Sequence, residues 1–243
     1  MFIKNRLGLI ESVETMLAQT QRLNEVSNNV ANVDTSGYKK DNVTFWEMLY
    51  TTSNNQQRVG KALRVTTEFQ AGPVEETGNP LDLALNGEGF FKIQTPQGVR
   101  YTRDGNFHLN SQGQITTADG NLLLGQSGPI VVQGKKFVIN PDGNVIMDGE
   151  QVNQVSVVTF SDLKSLEKEG NTLFRTKSAD IQEQPAQGVE VKQGFLEGSN
   201  VNVVKEMTDM MDLFRSFEAQ QRTVNTINDM DSLAVSRVGK LTP

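Results

Sequence analysis

Cysteine is absent from this chain of 243 residues, and histidine occurs only once, at His108. Zinc sites and cysteine–histidine nucleophile sites are built from these two residue types, so both kinds of site are excluded or nearly so. A chain without cysteine also cannot form wrong disulfides in an oxidising compartment, although chance explains the absence equally well. The composition therefore gives no support to a zinc-dependent or thiol-dependent enzyme.

Long apolar runs are also missing. No stretch approaches the roughly 18 consecutive apolar residues that a membrane-spanning helix requires. Near the start of the chain, Glu11 and Glu14 interrupt the region where the apolar part of a signal peptide would have to lie. We therefore predict no membrane insertion, and we expect that any export proceeds without a removed signal peptide.

The charges are mixed along the chain and no run of like charges occurs. The formal net charge is −6, so neither nucleic acid nor an anionic membrane is an expected partner. Hydrophobic residues make up 36% of the chain, which supports a modest core with much polar surface. The length is enough for one large domain or two smaller ones.

Both ends of the chain are predicted to be long helices, over about residues 4–32 and 200–238. Apolar residues recur there at alternating spacings of three and four, which is the seam pattern of a coiled coil. We predict that Gly37 terminates the first helix and that Ser199 or Asn200 caps the second. Such ends can pair with each other or with copies of the chain. The predicted seam consists of Val13, Met16, Thr20, Leu23, Ser27 and Val30 in the first helix, and Val203, Met207, Met210, Phe214, Phe217, Gln221 and Val224 in the second.

Between the helices, short runs of β-forming residues alternate with turn residues. The Asp-Gly pairs starting at Asp104, Asp119, Asp142 and Asp148 each predict a hairpin turn with positive φ. Short strands at this spacing indicate an all-β domain. The predicted fold class is α+β, with a central β-domain between two helices that pair as a coiled-coil-like α-domain. The predicted boundaries are 1–36 for the N-terminal helix, 37–68 for an extended arm with a mobile polar loop, 69–198 for the β-domain and 199–243 for the C-terminal helix.

Three patterns that could indicate chemistry are incomplete. The loop 140–144 supplies too few oxygen ligands for a calcium site, and a hairpin turn explains it better. The glycines in 87–91 lead into a strand, whereas a phosphate-binding loop opens a helix. Nothing places the carboxylates Glu75 and Glu76 across a cleft. We therefore predict a protein that is not an enzyme and that has no cofactor.

Four blocks of sequence resemble the signatures of bacterial flagellar rod and hook proteins. They occur in the order that this family has, and together they span nearly the whole chain. The fourth block, 197–208, resembles the start of the family's C-terminal helix. The residues that carry the first three blocks are Asn28, Asn29, Asn32, Gly37 and Tyr38; Asn79, Pro80, Leu81, Asp82, Gly87, Gly89, Phe90 and Phe91; and Tyr101, Thr102, Arg103, Gly105 and Phe107.

Within this family, the length and the compact middle resemble a rod protein more than a hook protein. The two ends of the chain look closer to the proximal-rod type, with the distal-rod type as the alternative. The resemblance implies an axial subunit of the periplasmic basal body, exported by the flagellar type III apparatus, that polymerises helically around the export channel and transmits torque. It implies copies of the chain, other rod proteins and surrounding ring proteins as partners. The competing class is a secreted, monomeric, β-rich binding protein whose helices form a closed hairpin.

Overall fold

A computed structural model describes residues 2–51, 57–132, 136–178 and 181–238 of the chain. Helix α1 spans Phe2–Ala31, helix α2 spans Val203–Val238, and the region between them is built from strands, so the predicted α+β class is confirmed. Residues 52–56 of the predicted polar loop and residues 239–243 of the predicted C-terminal domain lie outside the described residues. Contacts group the chain into a helical unit, Met1–Val30, Asp41–Thr66 and Asn202–Pro243, and a β unit, Ala31–Lys40 and Thr67–Val201.

The helical unit contains both helices and one pair of strands. Strand β1 (Asp41–Thr51) pairs with β2 (Gln57–Thr67) where an extended arm was predicted, and β1 is rich in the β-branched and aromatic residues that favour strands. The side chain of Gln19 donates to Ser216 Oγ at 2.7 Å, and that of Asn29 donates to Glu206 Oε2 at 3.4 Å. These contacts are ten residues apart along each helix but in opposite directions, so α1 and α2 run antiparallel.

The β unit is dominated by one antiparallel sheet of ten strands. Its central path runs in the order β15, β16, β6, β5, β9, β8 and β7, while β10 pairs with β9, β14 with β5, and β17 with β14. The strands of this sheet are β5 (Phe90–Thr95), β6 (Gly98–Thr102), β7 (Phe107–Leu109), β8 (Ile115–Thr117), β9 (Leu122–Gly125), β10 (Gly128–Pro129), β14 (Val157–Thr159), β15 (Leu166–Glu169), β16 (Leu173–Thr176) and β17 (Gln184–Pro185).

Smaller strand groups complete the β unit. Strands β11 (Phe137–Ile139), β12 (Asn144–Met147) and β13 (Glu150–Gln154) form a three-stranded sheet. Strand β3 (Val74–Glu76) pairs with β19 (Phe195–Glu197), and β4 (Leu83–Asn86) pairs with β18 (Glu190–Gln193). The last strands of the unit therefore close on its first strands, across more than a hundred residues of sequence.

Two hydrophobic clusters form the interior of the β unit, and strand β5 contributes to both. Neighbouring side chains of a strand point to opposite faces of the sheet. Phe91 accordingly packs in one cluster, edge-on to Phe107 with ring centroids 5.4 Å apart. Phe90 packs in the other, edge-on to Phe174 at 5.6 Å. One short strand thus separates two cores.

The backbone confirms one predicted Asp-Gly hairpin turn and contradicts another. Asp148 and Gly149 both have positive φ (53° and 89°) between β12 and β13, as predicted for a hairpin turn. The same prediction was wrong for Asp104-Gly105, which links β6 to β7. A Cβ at Gly105 would lie 1.6 Å from the carbonyl oxygen of Leu83, so glycine is required there for close backbone approach.

The predicted helix ends also need correction. Helix α1 ends at Ala31, so Gly37 lies six residues beyond it and has another role. The side chain of Asn202 accepts a hydrogen bond from Lys205 N at 3.0 Å, so Asn202 caps α2 instead of Ser199 or Asn200. Asn200 makes different contacts inside the β unit.

Candidate functional site

Three charged side chains meet in the interior of the β unit. The Glu197 carboxylate accepts hydrogen bonds from Lys39 Nζ at 2.5 Å and from Arg103 Nη1 at 3.2 Å, and all three side chains are at most 4% exposed. Glu197 also accepts from Gly72 N at 3.1 Å, while Lys39 donates to the carbonyl of Gln70 at 2.7 Å. Burial lowers the pKa of Lys39, and the attraction of Glu197 opposes that shift. We call Lys39, Arg103 and Glu197 the ion triad.

Asn200 joins the three backbone segments that surround the ion triad. Its Oδ1 accepts from Lys40 N at 2.8 Å, and its Nδ2 donates to the carbonyl of Glu68, also at 2.8 Å. Its backbone N donates to the carbonyl of Tyr38 at 3.3 Å. One amide side chain therefore satisfies backbone groups of two residues that lie outside the strands. We call these segments, 37–40, 68–72 and 197–200, the junction.

Lys168 holds the first segment of the junction from outside. Its Nζ donates to the carbonyl of Lys39 at 2.6 Å and lies 3.8 Å from the centre of the Tyr38 ring. An ammonium group over an aromatic face is attracted by the ring quadrupole. This contact explains why an aromatic residue stands at Tyr38, which is one of the residues of the predicted family signature.

Gly37 lets the first segment turn into the junction. Its φ is +66°, and its N donates to the carbonyl of Glu197 at 2.7 Å. A Cβ at this position would lie 2.3 Å from Asp104 N. Both the left-handed conformation and the close backbone contact therefore require glycine.

Asp104 lies against Gly37, and its carboxyl group should make the stability of the β unit depend on pH. Burial raises the pKa of its carboxyl to about 6. The hydrogen bond from Asn106 N and the charge of His108 oppose this rise. The carboxylates of Asp119 and Asp82 add to it. Because the unfolded value is about 3.9, the folded state keeps this proton to higher pH, and stability should fall as pH rises from about 4 to about 6.

We expect Asp104→Asn to abolish that fall in stability. The measurement is the urea midpoint of the β unit between pH 4 and pH 7, compared with the exposed control Glu150→Gln. A fall of equal size in wild type and Asp104→Asn would show that other groups cause the pH dependence.

The second block of the resemblance forms a turn before strand β4. The Asp82 carboxylate accepts from Thr77 Oγ1 at 2.6 Å and from Asn79 Nδ2 at 2.9 Å. The carbonyl of Pro80 accepts from Gln193 Nε2 at 2.8 Å, and Leu81 packs on the first hydrophobic cluster. These residues fix the position at which the chain enters the core.

The remaining signature residues lie on or beside strands β5, β6 and β7, near Arg103. The carbonyl of Gly87 accepts from Arg103 Nη2 at 2.7 Å, and a Cβ at Gly89 would lie 2.9 Å from a methyl group of Val157. Thr102 Oγ1 donates to the carbonyl of Thr172 at 2.9 Å, and Tyr101 Oη donates to Glu183 at 2.8 Å. Phe90, Phe91 and Phe107 belong to the two cores.

In the helical unit, the buried side chain of Asn29 contacts both β1 and α2. Its side chain donates to the carbonyl of Asp41 at 2.9 Å and accepts from the backbone N of Asp41 at 3.0 Å. It also donates to Glu206 Oε2. One asparagine therefore connects α1 to the first residue of β1 and to α2. Asn32 acts locally, since its carbonyl accepts from Thr35 N at 3.3 Å, and Asn28 is exposed.

The predicted seam residues of α2 divide between two rows. The residues of α2 that the rest of the chain shields repeat at spacings of three and four, and they include four predicted seam residues: Val203, Met210, Phe217 and Val224. Gln221 is exposed. A neighbouring row, one position further along the chain, is uncovered, and we call it the outer row: Val204, Met207, Met211 and Phe214 are 77%, 51%, 54% and 50% exposed.

The predicted seam of α1 divides in the same way. Met16, Leu23 and Val30 are half-buried, whereas Val13, Thr20 and Ser27 are exposed. Among residues 11–31, the part of α1 whose burial is described, Ser12, Val26 and Asn29 are fully buried. A shallow cleft of about 470 Å³ lies between the helices and β1, lined in part by Gln19, Phe45 and Leu213.

Residues of the rejected chemical patterns lie at the surface, among them Glu75 and Glu76 on β3. His108 is exposed on β7. Among the described residues, no group of three or more histidine, aspartate or glutamate side chains is placed to hold a metal ion. The structure instead places the family-like residues in the junction, in the turn before β4, in the two cores and around Asn29, where they hold segments of the chain together.

Three family descriptions match the chain. "Flagella basal body rod protein" matches residues 12–39, "Flagellar hook protein FlgE/F/G D1 domain" matches 84–147, and "Flagellar basal body rod FlgEFG protein C-terminal" matches 192–237. The flagellar basal-body rod protein FlgF of Caulobacter vibrioides is 31% identical over 96% of this chain and 98% of its own length. The chain belongs to the flagellar basal-body rod family. It is a structural subunit of the rod.

Other relatives of this rod protein carry different names. FlgG of Bacillus subtilis is 34% identical over 92% of this chain and 96% of its own length. The flagellar hook-basal body complex protein FlhO of the same organism is 29% identical over 96% of this chain and 99% of its own length. In the described residues of the rod protein, no helix is long and apolar enough to cross a membrane.

Sequence reasoning about the rod protein found the signature residues but missed what joins them. Lys39 and Glu197 were not singled out as a pair, although they lie inside the blocks that carry the resemblance. The available signal was that Lys39, Arg103 and Glu197 each stand within two residues of a glycine or an aromatic residue of a block. Charge by itself predicts exposure, and only the fold shows that these charges are buried together.

Proposed function

We propose that this rod protein is a subunit of the proximal rod, which polymerises helically, encloses the export channel and transmits torque. The outer row of α2 carries this proposal, because a single chain leaves four large apolar side chains of one helix face in water. Contiguous exposed apolar surface is typical of sites that bind another protein. Val13 and Leu17 of α1 are 42% and 65% exposed, so both terminal helices offer such surface.

The proposal includes the finer features that the resemblance implies. The terminal helices pair along the predicted seam into a coiled-coil-like inner domain that lines the channel. The partners are copies of the chain and other rod proteins along the axis, with ring proteins outside and the export apparatus during delivery. The location is the periplasmic part of the basal body. The hydrogen bonds of Gln19 to Ser216 and of Asn29 to Glu206, which join α1 to α2, support such pairing.

Phe214→Ala tests whether the outer row serves assembly. Because Phe214 is half exposed in the single chain, its loss should change monomer stability by less than about 1 kcal/mol, well below the cost of truncating a buried phenylalanine. We expect motility to be lost while the chain is still exported. The measurements are swimming in soft agar and quantification of exported chain. Normal motility in Phe214→Ala and Met211→Ala cells would refute an assembly role for this row.

The position within the rod can be measured directly. The resemblance implies that FlgF is the proximal-rod type and FlgG the distal-rod type. Relatives with both names have comparable identity, 31% and 34%, so a distal-rod subunit is the second candidate. Gold labelling of a tagged chain in isolated basal bodies distinguishes the two candidates. Label at the end nearest the cytoplasmic membrane supports the proximal assignment, and label further out supports the distal one. A chain that is secreted and absent from basal bodies would favour the monomeric binding protein.

A further inference from the structure

We infer that a second copy of this chain places its helix α1 on the outer row of α2, displaced along the helix axis by about eleven residues. This inference rests on the proposed function, because it specifies the contact by which copies of the chain associate. Four observations carry it: the register of the two helices within one chain, the exposure of the outer row, the exposure of two residues of α1, and their matching spacing.

The register within one chain follows from the two hydrogen bonds between the helices. Gln19 is level with Ser216, and Asn29 is level with Glu206. The same antiparallel register places Leu17 level with residue 218. Met207 is eleven residues from that point, or about 16 Å at a rise of about 1.5 Å per residue. Val13 and Leu17 of α1 and the outer row of α2 therefore lie at different positions along the helix axis in one chain and cannot cover each other.

The two exposed sets are complementary in spacing. Val13 and Leu17 are four residues apart on α1, and Met207 and Met211 are four residues apart on α2. If a second copy keeps the same orientation, its α1 is also antiparallel to the first copy's α2. A displacement of about 16 Å then brings Leu17 opposite Met207 and Val13 opposite Met211. Side chains at such spacings interdigitate as knobs in holes.

Each chain carries both halves of this contact, which is the reason for assigning a second copy as the occupant. The outer row adjoins the shielded row of α2, so the new contact is continuous with the existing contact between the helices. Flexible methionine side chains adapt to the shape of a packed partner. Because the contact joins different surfaces of the two copies, it does not close on itself, and it permits helical growth.

The absence of cysteine makes this contact testable by disulfide formation. The variant carries Leu17→Cys and Met207→Cys in the full-length chain, and the bacterium that makes it assembles its basal bodies before oxidation. Disulfides need Cα atoms within about 7 Å, so the distance of about 16 Å along the axis prevents a bond within one chain. The matched control carries Leu17→Cys and Thr208→Cys. Thr208 is exposed next to Met207, but it points about 100° away around the helix.

We expect oxidised basal bodies of the first variant to contain covalent dimers and higher multimers of the chain, several-fold more than the control contains. Equal yields from the two variants, or only monomers in basal bodies that contain the chain, would overturn the inference and leave the rod function intact. Disulfides to a different protein, identified by mass spectrometry, would also overturn it. A chain missing from basal bodies even without substitution would instead contradict the proposed function.

Discussion

Replacing Glu197 with alanine is expected to lower the unfolding free energy of the β unit by about 3–5 kcal/mol, the usual cost of removing one partner from a buried ion pair. The reason is that Lys39 and Arg103 would both stay buried without the only carboxylate that contacts them in the ion triad. Gly72 N would lose its acceptor as well. Because the carboxylate is shared, a single substitution disturbs three donors.

The measurement is hydrogen–deuterium exchange of peptides from β4 and β19 at increasing urea, which reports the β unit separately from the helices. Glu167→Ala is a suitable control, since its ion pair with Arg175 is 49% exposed on both sides and exposed pairs contribute at most about 1 kcal/mol. Equal effects of the two substitutions would mean that the ion triad does not stabilise the fold more than a surface pair does.

Replacing Gly37 with alanine is expected to lower the unfolding free energy of the β unit by about 2–5 kcal/mol. That range combines about 1–3 kcal/mol for overpacking with about 1–2 kcal/mol for a left-handed residue that has a Cβ. The overpacking arises because the added Cβ would lie 2.3 Å from Asp104 N, and backbone atoms must move to relieve it. Loss of the junction should also abolish rod assembly, which swimming assays report.

Gly120→Ala separates the two contributions. Gly120 has φ +81°, but no atom lies within 4 Å of the position that its Cβ would occupy. Its replacement should therefore cost only the conformational part, about 1–2 kcal/mol. If both substitutions destabilise the β unit equally, steric contact at the junction is not the reason for glycine at position 37. Urea denaturation of both variants provides the comparison.

The helices and the strand-rich middle could be predicted because their signals are local. Spacings of three and four near the ends, and short β-branched runs between Asp-Gly turns, depend only on neighbours in sequence. The paired strands β1 and β2 were predicted as an extended arm. The side chain of Asn29 binds the backbone of Asp41, the first residue of β1. This is a tertiary contact, so the sequence of residues 38–68 alone could not reveal it.

The division of α2 into two rows could not be predicted for a related reason. Met207, Met210, Met211, Phe214 and Phe217 are apolar on adjacent helix positions, so the spacing alone admits more than one seam. Only the position of the rest of the chain decides which row is shielded. Glu206 is a buried charged residue of the shielded row, and a search for apolar residues at helical spacing does not find it. The predicted seam as a whole remains a prediction about an assembly.

The closing of β19 on β3, of β18 on β4 and of Glu197 on Lys39 has a consequence for folding kinetics. These contacts join residues separated by as many as 158 positions in sequence. Contacts between distant residues form slowly, because the chain loses loop entropy before any contact compensates for it. A nascent chain cannot complete its β unit until residue 200 has left the ribosome. During its synthesis the subunit therefore lacks the pairings of β18 and β19, and its β unit is completed only after these strands have been made.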